Sequence, residues 1–122
     1  MSRARDKGDA YENMAVDHLL DAGLTLVEKN FSCKSGEIDI ICRDGDAVVF
    51  VEVRSRARSH FGSALESIDT RKQGKLFRAA QVYLQRRGWL DRYPCRFDVM
   101  AFDTGTPNQP HRVQWLRNAF QM

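Results

Sequence analysis

The sequence predicts an α/β fold in which one helix leads into three strands, followed by a second helix and a further strand. Three observations predict it. Two segments, about Asp9 to Ala22 and about Asp69 to Arg87, repeat apolar residues at helical spacing, and each is closed by a glycine. Two runs rich in Val and Ile, Gly36 to Ile41 and Val48 to Arg54, flank the turn dipeptide Asp44-Gly45. No proline precedes Pro94, so nothing interrupts this layer.

A chain of 122 residues, 43% hydrophobic and 29% charged, is expected to form one globular domain with a real core. That domain is expected over residues 9–122, with residues 1–8 a disordered basic lead-in. The net charge of +3 is compatible with nucleic acid without requiring it. Cys33, Cys42 and Cys95 form no C-x-x-C pair, which argues against a zinc knuckle or a redox motif. Cys42 alternates with Ile38 and Ile40 and reads as a small buried apolar residue. No apolar run reaches transmembrane length, and Met1-Ser2-Arg3-Ala4-Arg5-Asp6 is not a signal-peptide core. The expectation is a cytoplasmic protein with no membrane partner.

The first helix presents Ala15, Val16, Leu19 and Leu20 as its apolar stripe, with Gly23 as the C′ residue. Glu12 lies one turn before Ala15 and Val16, on that inward face. Two readings of it stand: an acid aimed at the sheet, or a first-turn acid favoured by the helix dipole. Leu24 to Phe31 reads as the first strand.

The next two strands carry the chemistry. A type I′ turn at Asp44-Gly45 would pair Arg43 with Asp46, Asp39 with Phe50 and Glu37 with Glu52. Glu37, Asp39, Glu52 and Arg54 then share one face, and Val49, Val51 and Val53 the other. Carboxylates directly opposed on apolar strands destabilise a sheet unless a cation offsets them. A hard divalent ion, Mg²⁺ or Mn²⁺, suits such a cluster and points to phosphodiester cleavage. The alternative is a structural ion pair of Asp39 with Arg54, with Glu37 in water.

After the hairpin, Arg54, Arg56 and Arg58 alternate ahead of His60-Phe61-Gly62. This reads either as a phosphate-contacting loop beside an aromatic or as a solvated charged loop. The second helix starts at an Asp69 N-cap and ends before Gly88, with Leu76, Ala79, Ala80, Tyr83 and Leu84 inward. Lys72 sits one turn before Leu76 on that stripe, where its ammonium can reach over the sheet edge. Arg71, Lys75 and Arg78 form a basic ridge beside it. Gly74 is read as permitting close approach. Arg96 to Phe102 is a strand, Asp103 to Pro110 a loop, and His111 to Leu116 an edge strand.

This order of elements, with acids on the first helix and both hairpin strands, resembles the restriction-endonuclease-like core, a mixed central sheet with helices packed on its faces. More closely, the chain resembles the bacterial YraN family of small proteins. That resemblance rests on Gly36-Glu37-Ile38-Asp39-Ile40-Ile41, Val49-Phe50-Val51-Glu52-Val53-Arg54, Phe61-Gly62, Lys72, Arg96-Phe97-Asp98-Val99 and Asn118-Ala119-Phe120. Similarity to the PD-(D/E)xK superfamily, and to archaeal Holliday-junction resolvases within it, implies that Glu12, Asp39 and Glu52 bind metal. Arg54 stands at the usual lysine position. Arginine does not readily deprotonate, so Lys72 is the candidate replacement. The resemblance implies a Mg²⁺-dependent nuclease acting on DNA, including branched or repair intermediates, and a homodimer. Catalytic roles fall to Glu12, Asp39, Glu52, Arg54 and Lys72, and backbone contacts to Arg56, Arg58, Arg71, Lys75 and Arg78. A nucleic-acid-binding module or assembly factor without chemistry is the alternative, and a scaffold protein a third.

Overall fold

The computed structural model describes the backbone of residues 3–56, 68–103 and 112–121, and the side chains of 10–55, 68–102 and 113–121. The elements are α1 (Arg3–Asp21), β1 (Thr25–Cys33), β2 (Gly36–Asp44), β3 (Ala47–Arg56), α2 (Thr70–Arg87), β4 (Cys95–Asp103) and β5 (Arg112–Phe120). The strands form one five-stranded sheet in the order β1-β2-β3-β4-β5. β3 and β4 are parallel and the other neighbours antiparallel. A parallel pair needs a crossover, and α2 lies in it. The sheet is mixed, as in a restriction-endonuclease-like core.

The alternation of β3 and β4 divides the core in two. Val48, Phe50, Phe97 and Val99 join Ile38, Ile41 and the buried stripe of α2 on one face. Val49, Val51, Met100 and Phe102 join Ile40, Cys42 and α1 on the other. α2 buries Leu76, Ala79, Ala80, Tyr83 and Leu84, as its periodicity requires. Asp69 accepts a hydrogen bond from the Lys72 backbone N–H, and Gly88 closes the helix at φ 71°.

Several expectations need correction. α1 is helical from Arg3, through most of the stretch read as a disordered lead-in. Its buried stripe is Tyr11, Ala15 and Leu19, while Leu20 is 46% exposed. An i, i+4, i+8 stripe is narrower than the one read from sequence, and the ring of Tyr11 packs against Phe102 at its N-terminal end. The β2–β3 turn has Gly45 and Asp46 as its central residues, with Asp44 paired to Ala47. Only Gly45 of these two has positive φ, the pattern of a type II′ turn. Every pairing therefore moves by two residues, and the pairs Asp39–Phe50 and Glu37–Glu52 do not form. A shift of two keeps side chains on their faces, where a shift of one would exchange them. A Cβ at Gly74 would meet only the guanidinium tip of Arg78 at 3.4 Å, so close packing does not explain this glycine.

β5 runs to Phe120 rather than ending at Leu116. Its register with β4 shifts between Phe97 and Val99. Asn118 there has φ 51°, and its N–H is taken by the Asp98 carboxylate at 2.9 Å. Sequence alternation breaks at such a bulge, which is why the strand read short. Arg58 and the His60-Phe61-Gly62 loop lie outside the described residues, as does the side chain of Arg56. Among the described residues no helix is long and apolar enough to cross a membrane.

Candidate functional site

The β2–β3 ladder pairs Ile40 with Val51, and beyond it an Asp39 side-chain oxygen accepts the Val53 N–H at 2.9 Å. Asp39 thus does for β3 what a strand carbonyl would do, and its carboxylate is inserted between two strands. Glu52, one residue before Val53, is 7% exposed. One Glu52 oxygen meets Arg54 Nη2 at 3.2 Å and Lys72 Nζ at 3.6 Å. The Asp39 carboxyl also lies beside Glu52, close enough to act on its titration. The expected alternative pairing of Asp39 with Arg54 is replaced by pairing of Arg54 with Glu52.

Burial pushes the Glu52 carboxyl from 4.5 up to about 8, assisted by the hydrogen bond and the charge of Asp39 and opposed by Arg54 and Lys72. Near neutral pH burial therefore favours the protonated form of Glu52. A pair that must take up either a proton or a cation is chemically suited to a hard divalent ion.

Two clefts share Lys72 and Lys75, and the acid pair lines one of them. One, of about 220 Å³, is lined by Glu37, Asp39, Glu52, Lys72 and Lys75. The other, of about 390 Å³, is lined by Arg54, Asp69, Arg71, Lys72 and Lys75. The second is cationic, because the Asp69 carboxylate is engaged as the α2 N-cap. Lys72 and Lys75 line both. Gly36, at the mouth of the first cleft, has φ 153°, and a Cβ there would touch Lys75 at an ordinary 3.6 Å. Its backbone conformation, rather than lack of space, calls for glycine. Arg78 is exposed one turn beyond Lys75 and continues the ridge.

Glu12 is placed differently from its expected partners. It is half-buried on α1, the helix packed on the opposite face from α2. Among the described residues no three His, Cys, Asp or Glu side chains gather as a ligand set, so Glu12 is not assembled with Asp39 and Glu52.

The profile of the uncharacterised protein family UPF0102 matches residues 11–102. A UPF0102 protein of Stutzerimonas stutzeri is 50% identical over 121 residues, 99% of each chain. The chain belongs to the UPF0102 family. A UPF0102 relative from Ectopseudomonas mendocina is 49% identical over 98% of each chain. Another from Pseudomonas paraeruginosa is 48% identical over 98% of this chain and 95% of its own. The segment matched by the UPF0102 profile contains Glu12, Asp39, Glu52, Arg54 and Lys72, and stops before β5.

One buried acid escaped the sequence reading. Asp98, fully buried, accepts from Arg96 Nε at 3.1 and 3.2 Å, Trp115 Nε1 at 3.0 Å and the Asn118 N–H at 2.9 Å. Arg96 reaches on to Asp44 at 2.8 Å. The signal was present, since Asp98 sits between Phe97 and Val99 just as Asp39 sits between Ile38 and Ile40. Two of its partners, Trp115 and Asn118, come from β5, and the network pins that edge strand. Cys42 is buried, which pushes its thiol up to about 11 and leaves it unreactive.

Proposed function

We propose that this UPF0102 protein is a metal-dependent phosphodiester hydrolase acting on nucleic acid, DNA foremost. The observation that carries the reading is the Asp39–Glu52 pair in a cleft it shares with Lys72 and Lys75, two lysines that also line a second cleft with Arg54 and Arg71. Asp39 and Glu52 would hold the ion. Two carboxylates with retained waters make an ordinary Mg²⁺ set, so a third acid is not required. Bound there, the ion would supply charge stabilisation and a more acidic water.

The chain's own groups divide the remaining work. Arg54 is only 19% exposed and lies against Glu52, where it holds that carboxylate in place. Lys72 is 44% exposed and lines both clefts, so it can leave Glu52 for a phosphate oxygen or an incoming water. Arg71 and Lys75 position the phosphate by charge and hydrogen bonding. Arg54 thus keeps the charge of the usual lysine, while Lys72 provides the compact ammonium.

A second reading, a nucleic-acid-binding module without chemistry, draws on one observation, arginine at the lysine position. The two are separated by cleavage assays on junction, flap, single-stranded and RNA substrates with Mg²⁺ or Mn²⁺. Wild type should cleave, Arg54→Lys should retain or raise activity, and Lys72→Ala should lose about 10²–10³-fold while still binding substrate. Absence of cleavage by both wild type and Arg54→Lys would leave the binding module.

A further inference from the structure

α2 carries Arg71, Lys72, Lys75, Arg78, Arg86 and Arg87 and no acid. The cations at its N-terminal end belong to the clefts described above. Those at its C-terminal end meet a different surface. Arg87 stacks over Trp89 at 4.4 Å from the ring centre. Arg43, from β2, lies 4.4 Å from the centre of Tyr93 and 5.2 Å from that of Trp89. Arg92 lies 5.8 Å from Tyr93, and the two rings pack edge-on at 5.9 Å. The ion pairs among the described residues involve Arg54, Lys72 and Arg96, not these arginines. The nearby acids are Asp91 in the same turn, Asp46 beside Arg43, and Glu28 facing Tyr83.

Helix-end arginines are ordinary complements to a helix dipole. That account covers Arg86 and Arg87, but not Arg43 and Arg92, which reach the same rings from other elements. We infer that Arg43, Arg87 and Arg92, gathered over Trp89 and Tyr93, form a second phosphate-contacting surface for the nucleic acid that enters the acid-pair cleft.

Stacking restrains long side chains, so little freedom is lost when their outward N–H groups meet phosphate oxygens; Arg43 is held further by donating from Nη2 to the Asp46 carbonyl at 3.4 Å. Because the guanidinium groups cover the ring faces, bases do not stack there, and the contact reads backbone rather than sequence. Lys72 and Arg87 are fifteen residues apart on one helix, which separates the two surfaces by about 22 Å. That is about six to seven base pairs at 3.4 Å per step. A substrate must reach that far from the cleft to touch both.

The inference takes its choice of ligand from the hydrolase reading, and binding in chelator, without turnover, tests it separately. The probes are a duplex of about 20 base pairs and a hairpin of about 5 base pairs, each across a salt series. Neutralising all three as Arg43→Gln, Arg87→Gln and Arg92→Gln should weaken binding to the long duplex at least roughly tenfold. It should lower the salt slope by about 2 to 3 and leave the hairpin nearly unchanged. Lysine at the same positions should restore most of the affinity, and Asp91→Asn should tighten binding. Unchanged affinity and slope for the long duplex would overturn the inference. So would an equal loss on both probes, or preferential binding to phosphatidylserine vesicles. If the triple variant does not fold, the single Arg92→Gln and Asp91→Asn changes carry the test, and no response in either counts against it. Length-dependent binding through this surface without cleavage by the wild type would support the inference while removing the hydrolase reading.

Discussion

Replacing Glu52 by glutamine should change the pH dependence of stability in a direction opposite to that of most acids. The folded carboxyl titrates at about 8 against an ordinary 4.5. Between those values the folded chain holds a proton that the unfolded chain has released, so stability falls as pH rises. The favourable contribution is complete below pH 4.5 and lost above pH 8. Its full size is on the order of 5 kcal/mol, of which roughly 3 is lost between pH 4.5 and 7. Against a total of about 5–15 kcal/mol for a domain, that is a large fraction. The assay is urea unfolding in the presence of chelator at several pH values from 5 to 9, followed by circular dichroism and Trp89 and Trp115 fluorescence. Other groups contribute to both proteins, so the useful quantity is the difference between wild type and Glu52→Gln. The variant keeps a side chain able to donate to Asp39, and it should gain on wild type steadily from pH 5 to 8. Parallel curves, with a difference constant within about 0.5 kcal/mol, would show that Glu52 is ionised throughout.

Three further outcomes are expected. Millimolar Mg²⁺ or Mn²⁺ should raise the Tm of wild type at pH 7 and release about one proton per ion, seen as a buffer-dependent calorimetric enthalpy; an equal response in Glu52→Gln would count against ligation by this acid. Gly74→Ala should stabilise the protein by about 0.5–1 kcal/mol in urea melts, because the site is helical and open apart from a flexible arginine tip, and a loss would mean an unrecognised contact. Asp98→Ala should cost at least about 3 kcal/mol, since it leaves Arg96, Trp115 Nε1 and the Asn118 N–H without their shared acceptor; a cost below about 1 kcal/mol would show that water replaces it.

What the sequence disclosed follows from what is local. The caps and inward stripe of α2 depend on spacing within one helix, and Asp69, Gly88 and the five buried residues were all legible. The shared face of Asp39 and Glu52 survived an incorrect turn assignment because strand parity tolerates a shift of two. The split between β2 and β3 was not legible, since it depends on the Asp39 side chain replacing a backbone acceptor. Nor was the role of Asp98, two of whose donors lie 17 and 20 residues further along the chain. The rings beneath Arg43 were also hidden, because β2 and the turn after α2 meet only in the folded sheet.

The split also determines which acid can isolate chemistry from folding. Asp39 accepts the Val53 N–H, so truncating it removes a strand hydrogen bond as well as a ligand oxygen. Loss of activity in Asp39→Ala would therefore follow equally from a loosened β3 and from a lost metal ligand. Glu52 accepts a hydrogen bond from Arg54 and forms an ion pair with Lys72, and both of these side chains reach solvent. Its neutral isostere leaves the ladder intact and, by the pH argument, should be at least as stable as wild type at pH 7. A stable Glu52→Gln protein that binds duplex but has lost both its Mg²⁺ response and its cleavage would assign the loss to the carboxylate itself. The same protein cleaving at the wild-type rate would remove Glu52 from the chemistry without recourse to instability. Because it can fail in that unambiguous way, Glu52→Gln is the stronger test of the two.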